Sequence, residues 1–591
     1  MSDLTRRSFL VLAAGATAGS TASASVVSQT APQAVPQSQP VCVQPTATEL
    51  SLVEQADFKP DLVLDCGFLL KTMDGVKVKL RAYNGQIPGP PIDTVAGRTL
   101  RIRMKNSLPA SDSTGWGGNM DVPHMFGNVN LHLHGLDVPP HIFEPLGTSN
   151  PLASMISIPP GGEKDYPFVI PDDQPPGLNW YHPHSHGSTA VQAVSGMAGA
   201  LIIRGAIDEV PEIKAAKDYI MVVSDIGLFE TNEPHADYTD SFEPAQNAIW
   251  QTYSKGAGEV TIDGHPKRPP LHCGFTTGDY HLRYYCLNGE PFFKETHNPV
   301  LPENGDQPAP IAKQLTPYVY KMRPGEVARF RLLNACSDLM MPVMVEGQDM
   351  WLIAMDGNNF ASPQLRNASR FGAQVLLGPA NRAEFLIKAS SKPGTYRILQ
   401  LKQSEQFLAA PEKTIAIIEV EGEPLDMEVP RHLPKNTRDA PIMSEDIKRK
   451  RFFVFSSAYP GIQNPVVGLD FEINNQIYDE LAVPTVVAVD ECEEWHIMVP
   501  NSQEGGTEGH PFHIHVNSFE VKSIGGVEQM PGLIQDTIWV PQNTEAVIWM
   551  RFKEWSGKSV FHCHILPHED TGMMQNFLIL DKRPDHHHSM G

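Results

Sequence analysis

Four short histidine clusters, two before residue 185 and two after residue 509, constrain the fold of this 591-residue sequence more than any other feature. They read His132-Leu133-His134-Gly135, Trp180-Tyr181-His182-Pro183-His184, His510-Pro511-Phe512-His513-Ile514-His515, and His562-Cys563-His564 with His568 close behind. Each holds a His-x-His pair. Side chains on a β-strand alternate faces with a period of two, so such a pair puts both imidazoles on one face without a turn. Of the 23 histidines, ten lie in these four segments, and clustering of that kind is metal chemistry.

In His562-Cys563-His564 the same alternation sends the thiol to the face opposite its two imidazoles, so one strand can serve two metal centres joined by a very short covalent path. Cys563, His568, Met573 and the remote His510 make a His2Cys set with a thioether, the ligand set of a blue-copper site with a weak axial methionine. Eight histidines remain, four from each end of the chain, and these predict a second, all-imidazole site between the first and last domains. Imidazole alone suits copper, zinc, iron or nickel; the neighbouring His2CysMet set selects copper.

The rest of the chain predicts an all-β protein. It has 52 prolines, 46 glycines and no sustained heptad or long amphipathic run, which fits many short strands joined by turns. Its length calls for two to four domains. Strand-like runs divide it into three blocks, 51–205, 206–420 and 449–582, separated at a charged stretch near 205 and by a polar, Pro-containing connector at 421–448. Each has the size of an elaborated β-sandwich domain. A net charge of −22 supplies no basic stripe and excludes a nucleic-acid partner. Thr5-Arg6-Arg7-Ser8-Phe9-Leu10, a short apolar stretch and Ala22-Ser23-Ala24 form a twin-arginine export signal over 1–24, followed by a Pro/Gln/Ser/Thr-rich leader at 25–50. This predicts a periplasmic or secreted protein that uses the twin-arginine machinery, with no membrane span; the residues leave the oligomeric state open, a monomer being the leading expectation. Besides Cys563 there are six cysteines, 42, 66, 273, 286, 336 and 492, which export would permit to pair, Cys273 with Cys286 closing a small loop, or which stay as buried thiols.

At these motifs the sequence resembles the three-domain multicopper oxidases, the family of laccases, bilirubin oxidases and cuprous oxidases, over nearly the whole mature chain. The resemblance implies three cupredoxin-like Greek-key β-sandwich or barrel domains in series. It implies four copper ions: a type 1 copper held by His510, Cys563, His568 and axial Met573, and a three-copper cluster that binds dioxygen. His132 and His513 match the type 2 ligands; His134, His182, His184, His515, His562 and His564 match the type 3 pair. The implied reaction is one-electron oxidation of a small reducing substrate, laccase-like phenols or aromatic amines, at an exposed edge of His510, coupled to four-electron reduction of O2 to water. Copper(I) and manganese(II) are the alternative donors, and a metal-free envelope factor is the alternative of another class, which the complete ligand set opposes. A copper nitrite reductase or a passive copper store would not need this set.

Reducing dioxygen to water consumes protons, which carboxylates must relay. Glu569 and Asp570 directly follow the Cys563 motif, and Glu569 matches a family position tied to proton supply. Where several relatives carry an aspartate, nine residues after His134, this chain has Phe143, so Glu144 is the candidate substitute near the type 2 copper, its other reading being a solvated loop carboxylate. His124, His141, His235, His265, His272, His281, His297, His432 and His496 read as ordinary surface or core histidines, His186 as a neighbour of the second cluster, and Met340, Met341, Met344, Met350 and Met355 as packing. The stretch 228–286 is a candidate pocket-shaping insertion, and His586-His587-His588, within the tail 583–591, a stray metal binder or a mere tail.

Overall fold

The computed structural model describes residues 58–582 except 111–119, 122, 231–281, 297–310, 367–371, 404–409, 439, 459–469 and 501–508; within 231–281 it describes the backbone of three short strand pieces. The export signal, the leader, the tail, Cys42, Cys273 and His235, His272, His281 and His297 lie outside the described residues, as does most of the 228–286 stretch, of which His265 has a described backbone only.

The protein is all-β. Its described α-helices, Thr189–Ala193, Pro211–Ala215 and Leu566–Asp570, are short, and among the described residues no helix is long and apolar enough to cross a membrane. Alternation along the strands builds the layers: Thr99–Asn106 and Thr544–Arg551 bury every second residue, as expected of strands with one face on a core and one on solvent. Among the described residues the three largest apolar cores each lie between two sheets. In the first block Leu64, Ile102, Tyr166 and Phe168 of one sheet meet Leu133, Tyr181, Leu201 and Ile203 of a four-stranded sheet. In the second, Phe330, Phe385 and Tyr285 meet Val343, Ile398 and Ile418. In the third, Phe453, Trp495 and Ile548 of a seven-stranded sheet meet Phe512, Phe561 and Phe577 of a five-stranded one.

The outer sheets of the first two blocks join into one 13-stranded sheet, because the strand piece Phe242–Pro244 pairs with both Val76–Tyr83 and Lys217–Glu230. The first and third blocks meet through Gly557–Cys563, whose seven residues are all buried. Phe561 and Cys563 enter the third core, while Val560 faces Ile142 and Phe143 of the first block. The thiols of Cys66, Cys286, Cys336 and Cys492 are buried, and no disulfide links the described cysteines. Met340, Met341, Met350 and Met355 sit in the apolar cores, as a packing role requires.

Candidate metal centre

Strand register assembles the site. His513 stands directly opposite His562 and Phe512 opposite Cys563 on antiparallel strands, while His132 stands opposite His182 in the first block. Opposed residues share a face, so His513 and His562 point together towards the first block while Cys563 points back into the third core.

On that inner face the Cys563 Sγ lies 3.5 Å from His510 Nδ1 and 3.7 Å from His568 Nδ1, with the Ile565 N–H 3.4 Å away. Phe471 stacks on the His568 ring. Met573 is buried beside them: its backbone N–H donates to the His568 carbonyl and its carbonyl accepts from the Cys563 N–H. His510 is only 2% exposed, because it pairs with Val540 in the sheet and packs against His568; the exposed edge expected of it is not found.

The other eight histidines, all buried, form one group across the interface between first and third blocks. Within it the ligand atoms of His134, His182 and His564 lie within 4.8 Å of one another, as do those of His184, His515 and His562, and those of His132, His513 and His515. The Nε2 atoms of His184 and His515 are 3.1 and 3.3 Å from that of His562. Burial, and then the neighbouring imidazoles, holds these rings well below the ordinary histidine range, so they are neutral and keep a lone pair free to bind a cation. Backbone carbonyls fix several tautomers: the Nδ1–H groups of His182, His513 and His562 donate to the carbonyls of Pro183, Asp536 and Cys563, leaving each Nε2 with its lone pair. The Nε2 atoms of His132, His134, His182, His513 and His564 are buried without a hydrogen-bond partner. Leaving such atoms unsatisfied costs about 1–3 kcal/mol each, a cost that a bound cation removes. The donor sets therefore fit copper, thiolate and imidazole in one and imidazole alone in the other.

Of the predicted carboxylates, Glu569 lies 3.4 Å from both His184 Nδ1 and His562 Nδ1. Burial, reinforced by Asp570, raises its carboxyl well above the usual range. Asp570 accepts from the Gly187 and Ala190 N–H groups at 2.7 Å, tying the helix Leu566–Asp570 to the second histidine cluster, and burial raises it to about 7 against those hydrogen bonds. Glu144 is a correction. Its side chain is 56% exposed and pairs with Lys164, because the preceding Phe143 turns inward onto Val560 and Tyr478 and so sends its neighbour to solvent.

Three residues at the cluster were not foreseen. Asp536, one residue before the Thr537 that pairs with His513, places its carboxylate 3.6 Å from His134 Nδ1. Arg382 of the second block holds both Asp536 oxygens, at 2.8 and 2.7 Å, and also reaches the Leu178 carbonyl and Asn179 Oδ1 of the first. His141, read as ordinary, bonds His132. No spacing rule marks any of the three; only the register of the sheets and the docking of the blocks bring them in. The other described histidines stand apart: His186 meets the Met120 carbonyl and Tyr478, and His496 pairs with Glu494 and Glu545.

Three multicopper oxidase family models match residues 70–207, 279–423 and 451–583. The chain belongs to the multicopper oxidase family. It is a copper oxidoreductase that uses dioxygen as acceptor. The chain is 26% identical over 498 residues to a multicopper oxidase of Staphylococcus haemolyticus, covering 83% of this chain and 82% of that protein. It is 23% identical over 561 residues to a laccase of Bacillus stratosphericus, covering 87% and 93%. The solved structure of a multicopper oxidase from Campylobacter jejuni, described as a metallo-oxidase, shares the fold with a TM-score of 0.61 at 22% identity, over 89% of this chain and 94% of that one.

Proposed function

We propose that the protein is a laccase-like oxidase that removes single electrons from phenols or aromatic amines and reduces dioxygen by four electrons to water. The observation that carries this reading is the back-to-back strand, with Cys563 among His510 and His568 on one face and His562 opposite His513 on the other. Four copper ions are assigned: one to His510, Cys563, His568 and Met573, one to His132 and His513, and a pair to His134, His182, His564 and His184, His515, His562. Copper at the first set would accept electrons singly from the donor, and copper at the eight histidines would deliver four of them to one dioxygen.

The protein's own groups do the rest. Cys563 and its flanking His562 and His564 give the shortest covalent path between the two sets. Glu569, kept protonated by burial between His184 and His562, holds a proton at its carboxyl where dioxygen reduction consumes one. Burial of all eight histidines excludes bulk water from partly reduced oxygen. The domain limits proposed are 51–205, 206–420 and 449–582, and residues 1–24 are proposed to direct twin-arginine export to the periplasm or medium.

A metal ion as donor is the second reading, favoured by the likeness to the Campylobacter metallo-oxidase. Dioxygen uptake by the copper-loaded protein, measured separately with a phenol and with copper(I), separates the two. Faster uptake with the phenol is expected; uptake with copper(I) alone would replace the laccase reading by the metal-oxidase one.

A further inference from the structure

The Nδ1–H of His182, His513 and His562 each ends on a backbone carbonyl. His132 is different. Its Nδ1 lies 3.0 Å from His141 Nε2, and the two rings are nearly parallel, at 14°. The protons on this pair are set by their surroundings. His141 Nδ1 is 3.1 Å from the Pro139 carbonyl, which can only accept, so His141 carries its proton on Nδ1. The Leu133 N–H donates to His141 Nε2 at 3.1 Å, so that atom is the acceptor. The remaining contact to Nε2 is then made by a proton on His132 Nδ1. The opposite tautomer would set two lone pairs 3.0 Å apart and leave an unpaired N–H at His132 Nε2, which is buried with no partner.

We infer that His141 is a positioning residue for the oxidase: through the relay from the Pro139 carbonyl to His141 to His132 it fixes His132 in the Nδ1–H tautomer and aims the Nε2 lone pair at the position assigned to the type 2 copper. The inference rests on the proposed function for the identity of that metal, while the tautomer itself does not depend on it. Local sequence makes the device. After the strand His132–His134 the chain runs through Pro139 and Pro140 and returns His141 to His132, and Phe168 packs against the His141 ring edge-on at 5.1 Å. A neutral imidazole here orients the ligand without adding a negative charge, unlike the Asp536 carboxylate beside His134.

Two variants of the full chain test it, His141→Phe, which keeps a ring and removes the acceptor, and His141→Gln, whose carbonyl oxygen can accept from His132 while its amide donates to Pro139. In the metal-free protein labelled with 15N on imidazole, with the His132 signals assigned by their loss in His132→Gln, the Nδ1–H tautomer is expected in the wild type and His141→Gln and is expected to be lost in His141→Phe. In the copper-loaded protein His141→Phe is expected to keep the blue type 1 band but to bind the copper seen as the type 2 electron paramagnetic resonance signal roughly 10–100-fold more weakly in a chelator titration, with His141→Gln restoring retention. An Nε2–H tautomer in the wild type overturns the inference, as does wild-type retention in His141→Phe or equal loss in both variants, the result that packing alone would give. If His141→Phe fails to fold, the His141→Gln variant decides: loss of the Nδ1–H tautomer there overturns the inference, and its retention supports it. A wild type with the Nδ1–H tautomer but no blue band leaves the relay standing and removes the copper oxidase reading instead.

Discussion

Replacing Arg382 by methionine would remove a side chain that ties together residues of all three sequence blocks beside the histidine cluster. Arg382 is fully buried, donates to both oxygens of Asp536, and also donates to the carbonyls of Leu178 and Ala380. Asp356 lies 3.6 Å away, so the variant would leave two buried carboxylates facing each other without their cation. Methionine keeps most of the length and apolar contact, which isolates the electrostatic part of the loss. Removing one partner of a buried ion pair costs about 3–5 kcal/mol. At 2–4 °C per kcal/mol for a domain of this size, that is a fall in melting temperature of roughly 6–20 °C. Thermal unfolding of the metal-free protein by circular dichroism is the assay. A chain of several domains need not unfold in one step, so the shift is read on the transition that moves. Arg382→Met combined with Asp536→Asn is expected to recover part of the loss, since it removes one uncompensated charge. A shift of less than about 2 °C for the single variant, below what even 1 kcal/mol would give, would refute the clamp.

Three further outcomes follow from the same geometry. Burial holds Lys413 at about 8, below the ordinary lysine value of 10.5, so the unfolded chain binds the extra proton between those values and stability rises with pH across that window, by about 3 kcal/mol from this group; Lys413→Met should flatten the rise in a denaturation series, and an unchanged slope would contradict it. Glu569→Gln removes the protonated carboxyl between His184 and His562 and is expected to slow dioxygen consumption at saturating donor by roughly 100-fold with the blue band intact; an unaffected rate would take the proton role away from Glu569. Met573→Leu deletes the weak axial thioether and should raise the potential of the blue site in a redox titration, whereas an unchanged or lowered potential would show that Met573 is not a ligand.

The parts of the site that were legible in the sequence are those fixed by strand period. His562, Cys563 and His564 announce two opposite faces because alternation is local, and the structure places them so. Prolines, glycines and strand-length apolar runs likewise announced the all-β class. What depends on neighbours remote in sequence was not legible. Glu144 was misplaced because one inward ring, Phe143, decides which way a loop carboxylate points. Asp536 lies 23 residues from His513, and only the pairing of His513 with Thr537 brings it to the histidines. Arg382 belongs to a block with none of the four histidine motifs, and His141 gains its role because the segment through Pro139 and Pro140 returns it to His132. The merging of two outer sheets through Phe242–Pro244 leaves no periodic signal at all.

The central claim is best tested by counting electrons. With the copper-loaded protein, the donor oxidised and the dioxygen consumed would be measured together, with peroxide assayed in the same vessel, for the wild type and for Cys563→Ser. An intense blue band, four electrons per dioxygen and no peroxide are predicted for the wild type, with band and steady uptake both lost in Cys563→Ser. Two electrons per dioxygen with peroxide accumulating, or a Cys563→Ser protein that stays blue and active, would contradict the account.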